Sequence, residues 1–316
     1  STGARCRRAV AARGEKWGPL HTGVRATGSE AGTRRAATAG SAGPLTRRGL
    51  SPVSLPDGTS STSALPEGII TVVRIDILTI FPDMFRGPFD ESIVKRAVDS
   101  GLVSIHLHDI RRWAKDRHKT VDDYPFGGGP GMLMKPDVLF AATESVLGLA
   151  PQREPVILLT PIGRRLTDDT VVELGAKERL VLLCGHYEGF DARVHEQLAA
   201  DEISIGDYVL SGGELAAMVL VDAVVRHIPG ALGSPQSAAE ESFAEGLLEA
   251  PHYTRPPHFR DWSVPEVLVS GNHQEVAKWR RRQNLLLTAR RRPDLLASLE
   301  LTAEEKEWLA PHLEEQ

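Results

Sequence analysis

The run Val72-Val73-Arg74-Ile75-Asp76-Ile77-Leu78-Thr79-Ile80-Phe81 is apolar at most positions, rich in β-branched residues and stopped by Pro82. Apolar side chains pointing alternately to both sides suit a strand covered on both faces, so this stretch is predicted to be a buried strand of a parallel sheet. Upstream of it the chain is a different material. Residues 1–73 carry 10 Lys/Arg and 4 Asp/Glu, net +6, against −11 for the remainder, and are rich in Ser, Thr, Gly, Ala, Pro and Arg. With no periodic apolar positions, residues 1–71 cannot bury enough surface to offset chain entropy and are expected to be a disordered extension. Their Arg-rich, acid-poor character also resembles an organellar transit peptide, but without an initiator Met or a clear amphipathic helix an upstream extension or misassigned start is the preferred reading.

Downstream, strand and helix signals alternate. Asp90 is placed to cap a helix with an apolar face of Ile93, Val94, Ala97 and Val98, ending at Gly101. Residues 103–110, 155–160 and 180–184 read as further strands, Thr167 and Asp191 open helices, 202–210 looks extended, and 214–228 is a strongly apolar helix closed by Pro229 and Gly230. This alternation predicts an α/β domain over 72–230 with a mostly parallel sheet. Gly, Ser, Pro, Gln, Ala and Glu dominate the next stretch, so 231–250 reads as a flexible linker. Residues 251–316 follow as a small, mainly helical C-terminal domain, with a Pro-rich start and helices around 274–291 and 303–312.

Composition excludes several classes. No apolar stretch approaches the roughly 20 residues of a membrane-spanning helix, so no membrane partner is expected. Cys6 and Cys184 suggest neither a disulfide framework nor zinc, which fits a reducing cytoplasm. Residues 116–132 are charged and then glycine-dense. They lack the Lys-Ser/Thr ending of a phosphate-binding loop and the spacing of a dinucleotide fingerprint, so they are read as a mobile substrate loop that is neither strand nor helix.

Ligands of open parallel sheets bind beyond the carboxyl ends of the strands. Three glycine-bearing segments are predicted to lie there: Thr160-Pro161-Ile162-Gly163-Arg164, Cys184-Gly185-His186-Tyr187-Glu188-Gly189, and Ile205 to Glu214. Bare backbone suits main-chain recognition of an adenine and ribose, although each segment alone is equally well a simple turn.

Taken together, these segments resemble one family, the bacterial tRNA (guanine-N1)-methyltransferases of the knotted SPOUT class. The resemblance rests on RIDILTIFPDMF (74–85), residues 116–132, GHYEG (185–189), SIGDYVLSGGE (204–214), PHYTRP (251–256), VLVSGN (267–272) and KWRRR (278–282), in the family's order. It implies a deep trefoil knot in the first domain, S-adenosylmethionine bent inside it, and a homodimer whose active sites are shared between subunits. The cofactor would contact Pro161, Gly163, Gly185, Glu188, Ile205, Gly206, Tyr208, Leu210, Gly212 and Gly213. The anticodon stem-loop of tRNA would meet Asp122, Gly131, His252, Lys278, Arg280 and Arg281. Similar enzymes are magnesium-dependent, so magnesium is carried as an accessory ion. No metal ligand is assigned, because Asp122, Asp207 and Glu188 do not by themselves define a site.

The implied reaction moves a methyl group to N1 of guanine 37, next to the anticodon. Guanine N1 must lose a proton as the new bond forms, and negative charge moves towards O6, so a general base and a cation are required. By motif position Glu241 would be the base and Arg226 the cation. On the residues alone, Arg226 reads as a helix-terminal charge and Glu241 as a solvated linker carboxylate. The family typically has Asp where this chain has Glu241, and an added methylene moves the carboxylate by about 1.5 Å. It also commonly has Pro where this chain has Ala216.

The net −11 of the body is unusual for an RNA-binding protein. Residues 251–292, however, hold 9 Lys/Arg against 3 Asp/Glu, interleaved with Trp279, and Arg111, Arg112, Lys115, Arg117 and Lys119 form a second basic cluster. Such clusters can seat phosphates, and equally can be solvated faces. The alternatives left by the sequence are a related knotted methyltransferase for another RNA base, a non-catalytic RNA-binding module, and an enzyme using another adenosine-containing ligand.

Overall fold

The computed structural model describes residues 72–148, 155–233 and 241–314. The reading of 1–71 as an extension, Cys6 and part of the 231–250 linker therefore lie outside the described residues.

The opening run forms β1 (Val73–Thr79), followed by α1 (Ser92–Asp99) and β2 (Val103–Asp109). A short strand β3 (Asp122–Asp123), inside the 116–132 stretch expected to hold neither strand nor helix, pairs antiparallel with β4 (Leu133–Met134) just beyond it. Then come α2 (Pro136–Leu147), β5 (Val156–Arg165), α3 (Asp168–Gly175), β6 (Arg179–Cys184), α4 (Ala192–Gln197), β7 (Asp201–Ser204) and α5 (Glu214–His227). Five strands make one sheet in the order β2-β1-β6-β5-β7, and every pair in it is parallel.

Both faces of the sheet are covered, which is why its strands read as continuous apolar runs. Ile75, Ile77, Ile157 and Leu182 face one side, against Val94 of α1, Leu174 of α3 and Leu220, Val221, Val224 and Val225 of α5. Leu78, Leu158, Val181 and Leu183 face the other, against Val138 and Leu139 of α2 and Val194 of α4. Each fully buried Leu, Ile or Val of this kind contributes about 1.5–3 kcal/mol through removal of apolar area from water. Asp76 lies on the second face, fully buried, and receives hydrogen bonds from Arg74 (2.8 Å) and Arg179 (2.9 Å), with His108 Nε2 at 2.8 Å. Burial pushes its pKa up, but the three partners outweigh that and hold it well below the usual carboxylate range.

Three local expectations change. Asp90 does not cap α1: its carboxylate accepts from Gly87 N–H at 3.1 Å, and Glu91 occupies the cap position without a side-chain bond. Residues 161–165 continue β5 through a bulge to pair again with β7, whereas β7 itself ends at Ser204 and 205–210 form a loop. Thr167 and Asp191 do cap α3 and α4, accepting from Thr170 N and Arg193 N respectively.

Beyond residue 241 lie a two-stranded hairpin, β8 (His258–Phe259) with β9 (Trp262–Ser263), and the helices α6 (Glu266–Val269), α7 (His273–Arg291), α8 (Pro293–Ala297) and α9 (Ala303–Glu314). Leu247, Leu285, Ala289 and Leu309 form a small separate apolar cluster. Buried Thr288 ties it to the preceding segment by accepting from Leu248 N at 2.8 Å.

Candidate active site

The bulged stretch of β5 and the segments leaving β6 and β7 meet around a cavity of about 370 Å³. Of the ten expected cofactor contacts, Pro161, Gly185, Glu188, Ile205, Gly206, Tyr208, Leu210, Gly212 and Gly213 line it. Gly163 does not. A Cβ there would lie 2.4 Å from the Glu202 and Ile203 backbone, so the residue allows β5 to cross closely over β7 and acts on the site only through that crossing.

A buried carboxyl group organises this end of the sheet. Glu214, the first residue of α5, is 1% exposed, and its Oε1 accepts from Thr79 Oγ1 at 2.7 Å. Thr79 in turn accepts from Phe81 N at 2.9 Å, so the end of β1 and the start of α5 are held together. Gly213 N donates to Gly185 O at 2.7 Å, and His186 bridges to Gly212. A Cβ on Gly212 would sit 2.4 Å from Glu214 Oε2 and 2.5 Å from His186 Nδ1, so any side chain there would have to displace one of those two groups. His186 Nδ1 itself is buried with no protein partner and belongs to a residue of the cavity wall. Sequence reading missed Thr79, His186 and Glu214 as organising residues, because an acidic residue opening a helix is ordinarily a solvated dipole partner. Nearby Cys184 is a free, buried thiol whose pKa is pushed well up by burial and by Glu214.

The loop 205–210 is stiffened from within and at its edge. Tyr208 N donates to Gly206 O at 2.9 Å, Ser204 Oγ donates to the same oxygen at 3.1 Å, and Arg165 pairs with Asp207 at 2.7 Å. Ile205, Tyr208 and Leu210 also line a second, open cavity of about 740 Å³, whose far wall includes Phe89, Leu215, Val219, Asp222 and Arg226. Arg226, in the last turn of α5, donates from Nη2 to Glu241 Oε1 at 2.5 Å, and both side chains are partly exposed. The two proposed catalytic groups are thus brought together. Paired so, they offer a donor beside an acceptor, the arrangement that complements the O6 and N1–H edge of guanine.

The segment 116–134 packs on the β6 loop. Glu188 N donates to Met132 O at 2.9 Å, Gly131 abuts the Glu188 side chain, and Asp122 lies close enough to Tyr187 that, after burial, it is the next cause of that phenol's raised pKa. Asp122 and Gly131 therefore stand beside the cavity. The other expected RNA contacts lie elsewhere: His252 pairs with Glu249 at 2.6 Å, Lys278 with Glu275 at 3.1 Å, and Arg280 is exposed. Arg281 is engaged by Glu305 at 2.8 Å and Glu245 at 3.4 Å, so it fastens α7 to its neighbours. In the second basic cluster, Arg111 donates to Ile80 O and Lys119 to Ala114 O, which also gives those two cations structural work. Among the described residues no group of three or more His, Cys, Asp or Glu gathers as a metal site, and no helix is long and apolar enough to cross a membrane.

A family model for tRNA (Guanine-1)-methyltransferase TrmD matches residues 73–298 of the chain. The chain is 53% identical over 244 residues to a tRNA (guanine-N(1)-)-methyltransferase of Dehalococcoides mccartyi, covering 77% of this chain and 98% of the relative. Proteins of the same description from Geotalea uraniireducens and Geobacillus kaustophilus are 56% and 54% identical over 237 residues, each covering 75% of this chain and 96% and 97% of their own length.

Proposed function

The chain belongs to the tRNA (guanine-1)-methyltransferase TrmD family, and on that premise we propose that it transfers the methyl group of S-adenosylmethionine to N1 of guanine 37 in tRNA. A methyl group there blocks the Watson–Crick edge of the base beside the anticodon and so helps maintain the reading frame. The structural observation that carries the reading is the shared wall: Ile205, Tyr208 and Leu210 separate a glycine-lined cavity from a second one backed by Arg226.

The cavity fits the cofactor through its bare main-chain groups and the unpartnered His186 Nδ1. When bound, S-adenosylmethionine supplies a methyl group already activated by its sulfonium. The protein supplies the rest. Glu241 accepts the N1 proton, and Arg226, held beside it, faces O6 where negative charge develops. Adenine presents an acceptor at N1 and a donor at its exocyclic amine, the reverse pattern, and would leave both side chains mismatched. Among the described residues no group of three or more His, Cys, Asp or Glu side chains is placed to hold magnesium.

In the same reading, 72–230 is a knotted catalytic domain, 231–250 a linker and 251–316 a tRNA-binding domain that seats the anticodon stem-loop, with Arg280 and Lys278 facing phosphates. The enzyme works as a homodimer with shared sites. Supporting this, Leu215 and Val219 leave an aliphatic stripe on α5 half exposed, 50% and 48%, suited to a second copy. A cytoplasmic location agrees with the free Cys184 thiol. The test is methyl transfer from labelled S-adenosylmethionine to tRNA transcripts carrying guanine or adenine at position 37, with the product mapped. Label at N1 of guanine 37 alone is expected; label on another base, or none, would remove the proposal.

A further inference from the structure

The tip of the β8–β9 hairpin carries two exposed aromatic rings around a cation. Phe259 and Trp262 are cross-strand partners, so alternation places both rings on one face, with centroids 6.1 Å apart. They are 55% and 65% exposed. The guanidinium carbon of Arg260 lies 5.3 Å from the Phe259 ring centre and 5.9 Å from that of Trp262. Arg260 reaches this position from the first residue of a two-residue turn, with φ +56°. On the opposite side His258 Nδ1 and Ser263 Oγ lie 2.9 Å apart and brace the strands.

Leaving large aromatic rings in water is unfavourable unless a partner covers them. The chemistry of the surroundings identifies that partner. The hairpin itself, residues 258–263, contains no Leu, Ile, Val or Met. Residues 251–265 carry Arg255, Arg260, His252 and His258 against a single acidic residue, Asp261, in a body that is otherwise net negative. Aromatic faces and a guanidinium plane in a locally positive setting are what unpaired RNA bases stack on, while neighbouring cations hold the phosphates.

We propose that the Phe259–Arg260–Trp262 tip is a stacking platform for an unpaired base of the substrate tRNA. The proposal rests on the reading of tRNA as substrate and adds a contact remote in sequence from Arg226 and Glu241. Arg260 supplies both a stacking plane and a phosphate partner, and its left-handed backbone sets the guanidinium over the rings.

The experiment uses the full chain and an unmodified tRNA transcript, measuring transcript Kd by filter binding, S-adenosylmethionine Kd by calorimetry, and molecular mass by light scattering. Phe259→Leu with Trp262→Leu keeps apolar bulk but removes the π-faces, and is expected to raise transcript Kd about tenfold with cofactor Kd and mass unchanged. Phe259→Tyr with Trp262→Phe restores stacking and is expected to restore affinity. Arg260→Gln should lower the dependence of log Kd on log salt by about one phosphate contact. An unchanged transcript Kd in the leucine variant overturns the proposal, as does a fall in mass, which would assign the rings to a subunit contact. Wild-type protein that binds the transcript without methylating it counts against the catalytic reading alone, since the variants' Kd values still decide the platform.

Discussion

Arg226, in the last turn of α5, and Glu241, midway along the 231–250 segment, meet at 2.5 Å. Glu241 departs from the aspartate of the family pattern, and its longer side chain reaches the Arg226 guanidinium. On the proposed mechanism, the carboxylate that accepts the N1 proton and the guanidinium that faces O6 would meet the base as one unit.

Removing either member should cost turnover without touching the cofactor. Glu241→Gln is expected to lower kcat by roughly 100- to 10,000-fold, the range for loss of a general base. Arg226→Ala should lower it by roughly 100- to 1,000-fold. Because the pair acts together, the double variant should be little worse than the worse single one. Single-turnover kinetics with parallel measurement of S-adenosylmethionine binding check this; unchanged kcat in Glu241→Gln would take that residue out of the mechanism.

The buried Thr79–Glu214 contact makes a separate prediction. Thr79→Val preserves shape but leaves a buried carboxyl oxygen without its donor, at a cost of about 1–3 kcal/mol. Urea unfolding measures the loss. Gly212→Ala would press a methyl group against Glu214 and His186, so cofactor affinity should fall at least tenfold in a protein with native circular dichroism.

Acid stability should report on Asp76. Its folded pKa is held below the unfolded value by His108, Arg74 and Arg179 in spite of burial, so its contribution is fully present above the unfolded pKa of about 3.9 and is lost as pH falls through the folded one. Unfolding free energy is therefore expected to drop on acidification below about pH 4. Asp76→Asn should show a shallower acid slope and be about 1–3 kcal/mol less stable near neutrality, because the partly exposed Arg74 and Arg179 lose the carboxylate that accepts their hydrogen bonds. Equal acid slopes for the two proteins would refute the assignment.

The exposed stripe on α5 makes assembly testable. Val219→Glu places charge where a second copy is proposed to pack, so it should yield monomers by light scattering and abolish methyl transfer, while a soluble variant of unchanged mass and activity would exclude that face from the interface.

The sequence by itself determined the elements whose pattern is local and repetitive. Both-face burial writes the parallel strands as unbroken apolar runs, helices α3 and α4 announce their Thr167 and Asp191 caps, and the three glycine-bearing segments were legible as segments that gather at one end of the sheet. Where single residues are used at long range, pattern reading ran out. The helix 136–147 follows a glycine-dense loop without a strong amphipathic signature, β5 continues past Pro161 because β7 pairs with it beyond a bulge, and Asp90 turned to Gly87 in preference to the helix. The β8–β9 hairpin is too short to show a period within a Pro-rich stretch. Only the tertiary structure decided that Glu214 is buried against Thr79, 135 residues away in sequence, that Gly163 serves a strand crossing, and that Arg281 is held by Glu305. Burial and pairing of a charge depend on what distant segments bring to it, and that information resides in the packing, which no window along the chain contains.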